Sequence, residues 1–201
     1  MTVYSYVIEH DYGFAPNPFH GPCTLAGCKP DIRKAAELGD IIIGTGAAST
    51  GLDRNMIYWM RVDEISDFAT YWRDRRFRPK RPDMAAPGKI ERFGDNIYRR
   101  DRKTGLLVQA FSFHSHADGR CNEKNWKRDT GKTERVLIAR SFAYFGVSAP
   151  EIPEELRDLI KKGPGHKCRF KPERAKAFEA WATAHPQRGY VGKPTHWGSL
   201  K

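Results

Sequence analysis

The chain has 201 residues, 39% of them hydrophobic and 12% aromatic, and a formal net charge of +11. This length suits one folded domain with a small appendage, and the apolar content supports a core, so wholesale disorder is excluded. There is no run of about 18 apolar residues to span a bilayer and no basic-then-apolar leader at the N-terminus, so the expectation is a cytoplasmic protein with no membrane role.

Thr2 to His10 alternates, with Tyr4, Tyr6 and Ile8 opposed to Val3, Ser5 and Val7, and reads as a first strand. Gly13 to Gly46 then organises the rest. A loop rich in Pro and Gly presents Asn17, Phe19, His20, Cys23 and Thr24. A short helix is predicted from Pro30, which suits a first helical position, to Leu38, with Gly39 just past its end. Ile41 to Ile43 is β-branched and reads as a buried strand running into Gly44-Thr45-Gly46. Met56 to Ile65 is apolar on both faces and reads as a central strand. Ser66 or Asp67 caps a helix whose inner face is Phe68, Tyr71 and Trp72.

Arg75 to Gly88 reads as an exposed basic loop. Asp95-Asn96 is a turn before a short strand from Ile97 to Arg99, and Leu106 to Phe113 reads as a strand ending at His114-Ser115-His116. Arg120 to Thr133 is polar and irregular. Arg135 to Tyr144 is the last clear strand. Helices are predicted over Pro153 to Lys162 and Pro172 to His185, the first with Gly163 beyond it.

The positive charge is clustered. Residues 73–103 hold twelve Lys and Arg against five Asp and Glu, and residues 161–193 hold nine against two. Aromatics lie among them, and basic residues with interleaved aromatics suit phosphate contact with base stacking. Arg75, Arg76, Arg78, Lys80 and Lys167 are the expected phosphate contacts. The cysteines, Cys23, Cys28, Cys121 and Cys168, have no common zinc spacing and are read as reduced thiols.

Gly13 to Pro18, Cys23 to Arg33 and Gly39 to Gly46 resemble the hallmark of a bacterial and phage family, nucleotide modification associated domain 2. Tyr12 stands where that family's motif opens with Asn. Asp95-Asn96-Ile97-Tyr98, Arg128-Asp129-Thr130 and Val136 to Gly146 are also similar. The resemblance implies a theme, modified-nucleotide systems, rather than a reaction. The element order further resembles the PUA-like barrels, which hold a base beside their first helix. The expected fold is therefore α+β: a β-rich PUA-like barrel of about six strands with short peripheral helices over residues 1–150, and a helical C-terminal extension, residues 151–201, packed on it.

Two kinds of site are expected. A base pocket would draw on Asn17, Phe19, Cys23, Thr24, Lys29, Thr45, Tyr58, Asn96 and Tyr98. Asn and Thr read a base edge, Phe and Tyr stack, and Lys meets a phosphate. A reactive group would draw on His114, His116 and Asp95, with Asp129 a further carboxylate near these histidines if strand ends converge. His114, His116 and Asp118 also resemble the metal-binding run of metallo-β-lactamase-like hydrolases, with Gly119 in place of its last His, so a divalent metal is the alternative to having no cofactor. No phosphate-binding glycine loop or nucleophile elbow motif is present.

The leading expectation is a module that binds DNA, RNA or a free nucleotide and recognises a modified base. The alternative is a hydrolase or transferase of modified-nucleotide metabolism using His114, His116 and Asp118. A partner-binding protein of a phage or defence cluster is the blander reading, and a homodimer is the expected form of self-association.

Overall fold

The computed structural model describes residues 1–199. In chain order the strands are β1 (Val3–Ile8), β2 (Cys23–Leu25), β3 (Ile41–Gly46), β4 (Met56–Arg61), β5 (Glu64–Asp67), β6 (Tyr98–Arg100), β7 (Leu107–Gln109), β8 (Arg135–Ala139), β9 (Phe142–Tyr144), β10 (His166–Lys167) and β11 (Gly189–Tyr190). The α-helices are α1 (Pro30–Ala35), α2 (Phe68–Arg73), α3 (Lys89–Arg92), α4 (Glu123–Thr130) and α5 (Pro172–Ala184). No helix among the described residues is long and apolar enough to cross a membrane.

The chain forms two compact units from interleaved segments. The first takes Met1–Tyr12, Ala36–Asp63 and the described residues from Ala139 onward; the second takes Gly13–Ala35 and Glu64–Ile138.

The first unit holds a six-stranded sheet in the order β10-β1-β3-β4-β9-β11. β3 is parallel to β1 and antiparallel to β4. It is buried along its whole length, as its run of three isoleucines predicts. One face of this sheet presents Val3, Ile41, Ile43, Trp59 and Ala143, which cluster with Leu156, Leu159, Ala175 and Phe178. The last four come from a 3-10 turn at Glu154–Leu159 and from α5. On the other parity, Tyr6, Gly44, Tyr58 and Tyr144 stand in register across four strands. Glycine is required there, because a Cβ on Gly44 would lie 2.4 Å from the Tyr58 ring.

The second unit holds a sheet in the order β2-β8-β5 and a two-stranded ribbon, β6-β7. Asp67 caps α2, its Oδ1 accepting from the Thr70 N–H at 2.9 Å. Phe68 packs on Tyr98, and Tyr71 on Phe77, with ring centroids 4.8 and 4.7 Å apart.

The α+β class holds. Among the described residues no sheet closes on itself, so an open six-stranded sheet stands where a barrel was expected. The two long strands expected over Met56–Ile65 and Arg135–Tyr144 are each broken. One carboxylate accounts for the second break: Asp63 Oδ2 accepts the N–H groups of Arg140 (2.6 Å) and Ser141 (3.0 Å) between β8 and β9. The expected strand over Leu106–Phe113 stops at Gln109, where Ser112 and Ser115 close a turn on each other. The stretch read as irregular contains α4, capped by Asn122. The basic loop is a 3-10 turn at Arg75–Lys80, anchored by buried Phe77 and Lys80. The segment after Pro153 is 3-10 rather than α-helical.

Candidate active site

The loop from Gly13 to Cys28, in the second unit, is fixed by buried polar groups. Asn17 and Thr24 form an antiparallel bridge, each N–H donating to the other's carbonyl at 2.8 and 3.0 Å. The Asn17 side chain donates to the carbonyls of Gly13 (3.1 Å) and Phe93 (3.0 Å). Its Oδ1 accepts from the Phe19 N–H (3.2 Å) and from the Lys80 ammonium (2.8 Å). Asp95 accepts from the hydroxyls of Thr24 and Tyr71, both at 2.7 Å, and Asn96 donates to the carbonyls of Tyr71 and Phe77. Burial pushes Lys80 down to about 8 and Asp95 upward, each opposed by the other's charge. Burial also pushes the Cys23 thiol up to about 12, which makes it an inert core thiol.

This loop delivers Cys28 to a second cluster. Cys28 has φ +53° and Lys29 has φ +40°, a left-handed pair that costs on the order of 1–3 kcal/mol per residue and persists only where the surroundings enforce it. The Cys28 N–H donates to Asp129 Oδ1 at 2.8 Å, and its carbonyl accepts from Arg33 Nε at 3.0 Å. Arg33 is fully buried and also donates to the carbonyls of Ala26 (3.0 Å), Arg135 (2.9 Å) and Asp129.

Cys28 Sγ lies 3.9 Å from His114 Nε2, and His114 Nδ1 lies 2.7 Å from Asp129 Oδ2. Asp129 also accepts from the Tyr98 hydroxyl (2.8 Å) and from Arg128 Nε (2.9 Å), so each carboxylate oxygen has two donors. An ionised Asp129 only accepts, so Nδ1 carries a proton and Nε2 faces sulfur. Burial works against a charged His114, but its hydrogen bonds with Asp129 and Cys28 outweigh that and push it up to about 9. Burial likewise works against Asp129, but His114 and Arg128 hold it well below the ordinary carboxylate range. The Phe14 ring, 4.2 Å from the imidazole, braces the other side of the site. A thiol, an imidazole and an orienting carboxylate in this order form the arrangement of a nucleophile, its base and the group that sets the tautomer.

The profile of the family described as nucleotide modification associated domain 2 matches residues 1–201, the whole chain. The chain belongs to that family. No curated protein and no solved structure shows a significant match to it. The family's description associates its members with nucleotide modification.

Within this member of nucleotide modification associated domain 2, the sequence-derived site residues fall into separate places. Asn17, Phe19, Cys23, Thr24 and Asn96 are buried in the second unit, where they fix the loop. Tyr98 is buried against Asp129, and Lys29 stands beside Cys28 with an inserted left-handed turn. Thr45 and Tyr58 are buried in the sheet of the first unit; Tyr58 shares a 2.9 Å hydroxyl contact with Tyr6.

Several expectations are corrected. Asp95 is not with His114's partners but with Thr24 and Tyr71. His114 is buried, whereas His116 is exposed and Asp118 pairs with Arg120. No metal-binding group of three or more His, Cys, Asp or Glu occurs among the described residues, so His114, His116 and Asp118 do not gather one. Their alternating spacing fails because the chain turns at Ser112–Ser115 instead of continuing as a strand. Lys80 is buried, its ammonium held by Asn17, and cannot face a phosphate. Arg76 is committed to Glu64 and Asp74. Arg75 and Arg78 are exposed, and Lys167 is exposed with its ammonium on the Asp158 carbonyl. Cys28 was the residue missed. Its partners lie 86 and 101 residues away, and the local signal, a cysteine directly before Lys-Pro at a helix start, carries no spacing that points to either.

Proposed function

We propose that the protein is a thiol enzyme of a nucleotide modification system, transferring or removing an acyl-type group. The observation that carries this reading is the line Cys28 Sγ, His114, Asp129, with contacts of 3.9 and 2.7 Å. With the proton of the Cys28–His114 pair held on His114 Nε2, the Cys28 sulfur attacks the electrophilic carbon of the substrate. A C–S bond forms, the bond to the leaving group breaks, and His114 returns the proton to that group. Water or an acceptor amine then attacks the thioester carbon, giving its proton to His114 and freeing Cys28. The left-handed backbone at Cys28 supports this role, since strain of this kind clusters at working sites.

Alkylation tests the reading. Iodoacetamide at limiting concentration should modify Cys28 faster than exposed Cys121, read by peptide mass spectrometry, and His114→Gln should remove the preference. Equal rates at the two cysteines, unchanged by His114→Gln, would sink it.

A second reading has its own observation, the net charge of +11 with Arg75 and Arg78 exposed. It is a module that holds DNA, RNA or a nucleotide and recognises a modified base. Oligonucleotide affinity that falls steeply with salt supports it.

A further inference from the structure

We propose that a nucleotide subsite adjoins Cys28: Arg128, with Lys124 and Lys127 on α4, takes a phosphate, and Phe113 takes the face of a base. The inference rests on the thiol-enzyme reading and names its substrate class. Arg128 reaches the site with two of its three nitrogens. Nε donates to Asp129, and Nη2 lies 3.2 Å from both nitrogens of the His114 ring. Nη1 makes no hydrogen bond among the described residues, and the side chain is 41% exposed. A partly exposed guanidinium with one NH2 group uncommitted is suited to a phosphate.

Lys124 lies four residues before Arg128 on α4, hence on the same helix face. Lys127 adjoins them, and both lysines are exposed without an acidic partner among the described residues. The acid of the last turn, Asp129, is spent on His114, Cys28, Tyr98 and Arg128, and Glu123 is the remaining acid of the helix. Phe113 lies on the chain beside His114, with ring centroids 6.2 Å apart. Phe93 at 4.8 Å supports its ring from within, yet Phe113 is 39% exposed. A supported, exposed ring beside a cation is a stacking surface next to a phosphate contact. Arg128 borders the His114 imidazole at 3.2 Å and the Phe113 ring stands 6.2 Å from it between centroids, which sets both beside the imidazole that faces the Cys28 sulfur.

Protection of Cys28 from iodoacetamide in the full chain reads occupancy. The probes are nucleoside 5′-monophosphates, the matching nucleosides, inorganic phosphate and a single-stranded ten-nucleotide DNA. Each variant is compared with its own unprotected rate. Monophosphates should protect at lower concentration than nucleosides or phosphate alone. Lys124→Glu with Lys127→Glu should raise the half-protecting concentration about tenfold at low salt, and Phe113→Leu, which keeps the apolar packing, about tenfold as well. Stronger protection by the ten-nucleotide strand assigns the phosphate to a polynucleotide; weaker protection assigns it to a free nucleotide. A fast, His114-dependent Cys28 that no probe protects overturns the subsite and leaves the thiol reading standing. Protection by inorganic phosphate equal to that by monophosphates overturns the base half. Should Cys28 react no faster than Cys121, the thiol reading falls and calorimetry with the same probes decides: no heat, or heat indifferent to Phe113→Leu, overturns the subsite.

Discussion

His114 and Asp129 tie the chemistry of the site to the stability of the fold. The groups facing the imidazole are Asp129, Cys28 and Arg128, and Asp129 is faced in addition by Tyr98 and by the backbone of Cys28. The folded value of His114, about 9, lies above its ordinary 6.5. Its contribution to stability is therefore complete below that ordinary value and is lost as pH rises through about 9. Asp129 lies below its ordinary 3.8, so its contribution is present above that value and is lost on acidification. The melting temperature of wild type minus that of Asp129→Asn should be largest near pH 5–7, shrinking above about 9 and below about 4. A difference independent of pH would refute the pairing. Removing a charge from a buried pair costs about 3–5 kcal/mol, so Asp129→Asn should also be visible in a denaturant midpoint. Lys80→Met should cost about 3 kcal/mol for the same reason, because it strips Asn17 of its donor and leaves Asp95 without its buried counter-charge. A melt within 2 °C of wild type would show that Asp95 sheds its charge at little cost.

At the scale of elements, legibility follows the range of the forces involved. The strand at Ile41–Ile43 and the turn at Gly39, φ +85°, are local matters of β-branching and glycine, and both were readable. So were the Asp67 cap and α5, which carry their signals within a few residues. α4 was not, because it has no apolar stripe; the cap at Asn122 and the burial of Asp129 define it. The site was half readable. His114 and Asp129 were named together, while the thiol that completes them depends on contacts across 86 and 101 residues. Asn17, Thr24 and Asn96, types suited to reading a base edge, are equally suited to satisfying buried polar groups of the loop, and their side chains are hydrogen-bonded there. Gly44 tests the packing of the tyrosine row. Gly44→Ala drives a methyl into the Tyr58 ring and should cost about 1–3 kcal/mol by overpacking, with Tyr58→Phe partly relieving it if the ring then shifts away from Tyr6. No loss on Gly44→Ala would mean the row is looser than its geometry.

For the whole molecule, the six-stranded sheet depends on residues far along the chain. Phe178 on α5 is fully buried in the cluster that also holds Trp59, Ile41 and Phe145, so Phe178→Ala should cost about 3–5 kcal/mol and lower the melting temperature. Alkylation selectivity at Cys28 in that variant, measured well below its melt, should match wild type, since Cys28, His114 and Asp129 all belong to the second unit.

The interleaving of the two units bears on synthesis. A ribosome completes every residue of the second unit at Ile138, while β9, β10, β11 and α5 of the first are still untranslated. Domains fold as units as they emerge. Cys28, His114 and Asp129 are thus all on the nascent chain before the last three strands of the large sheet exist.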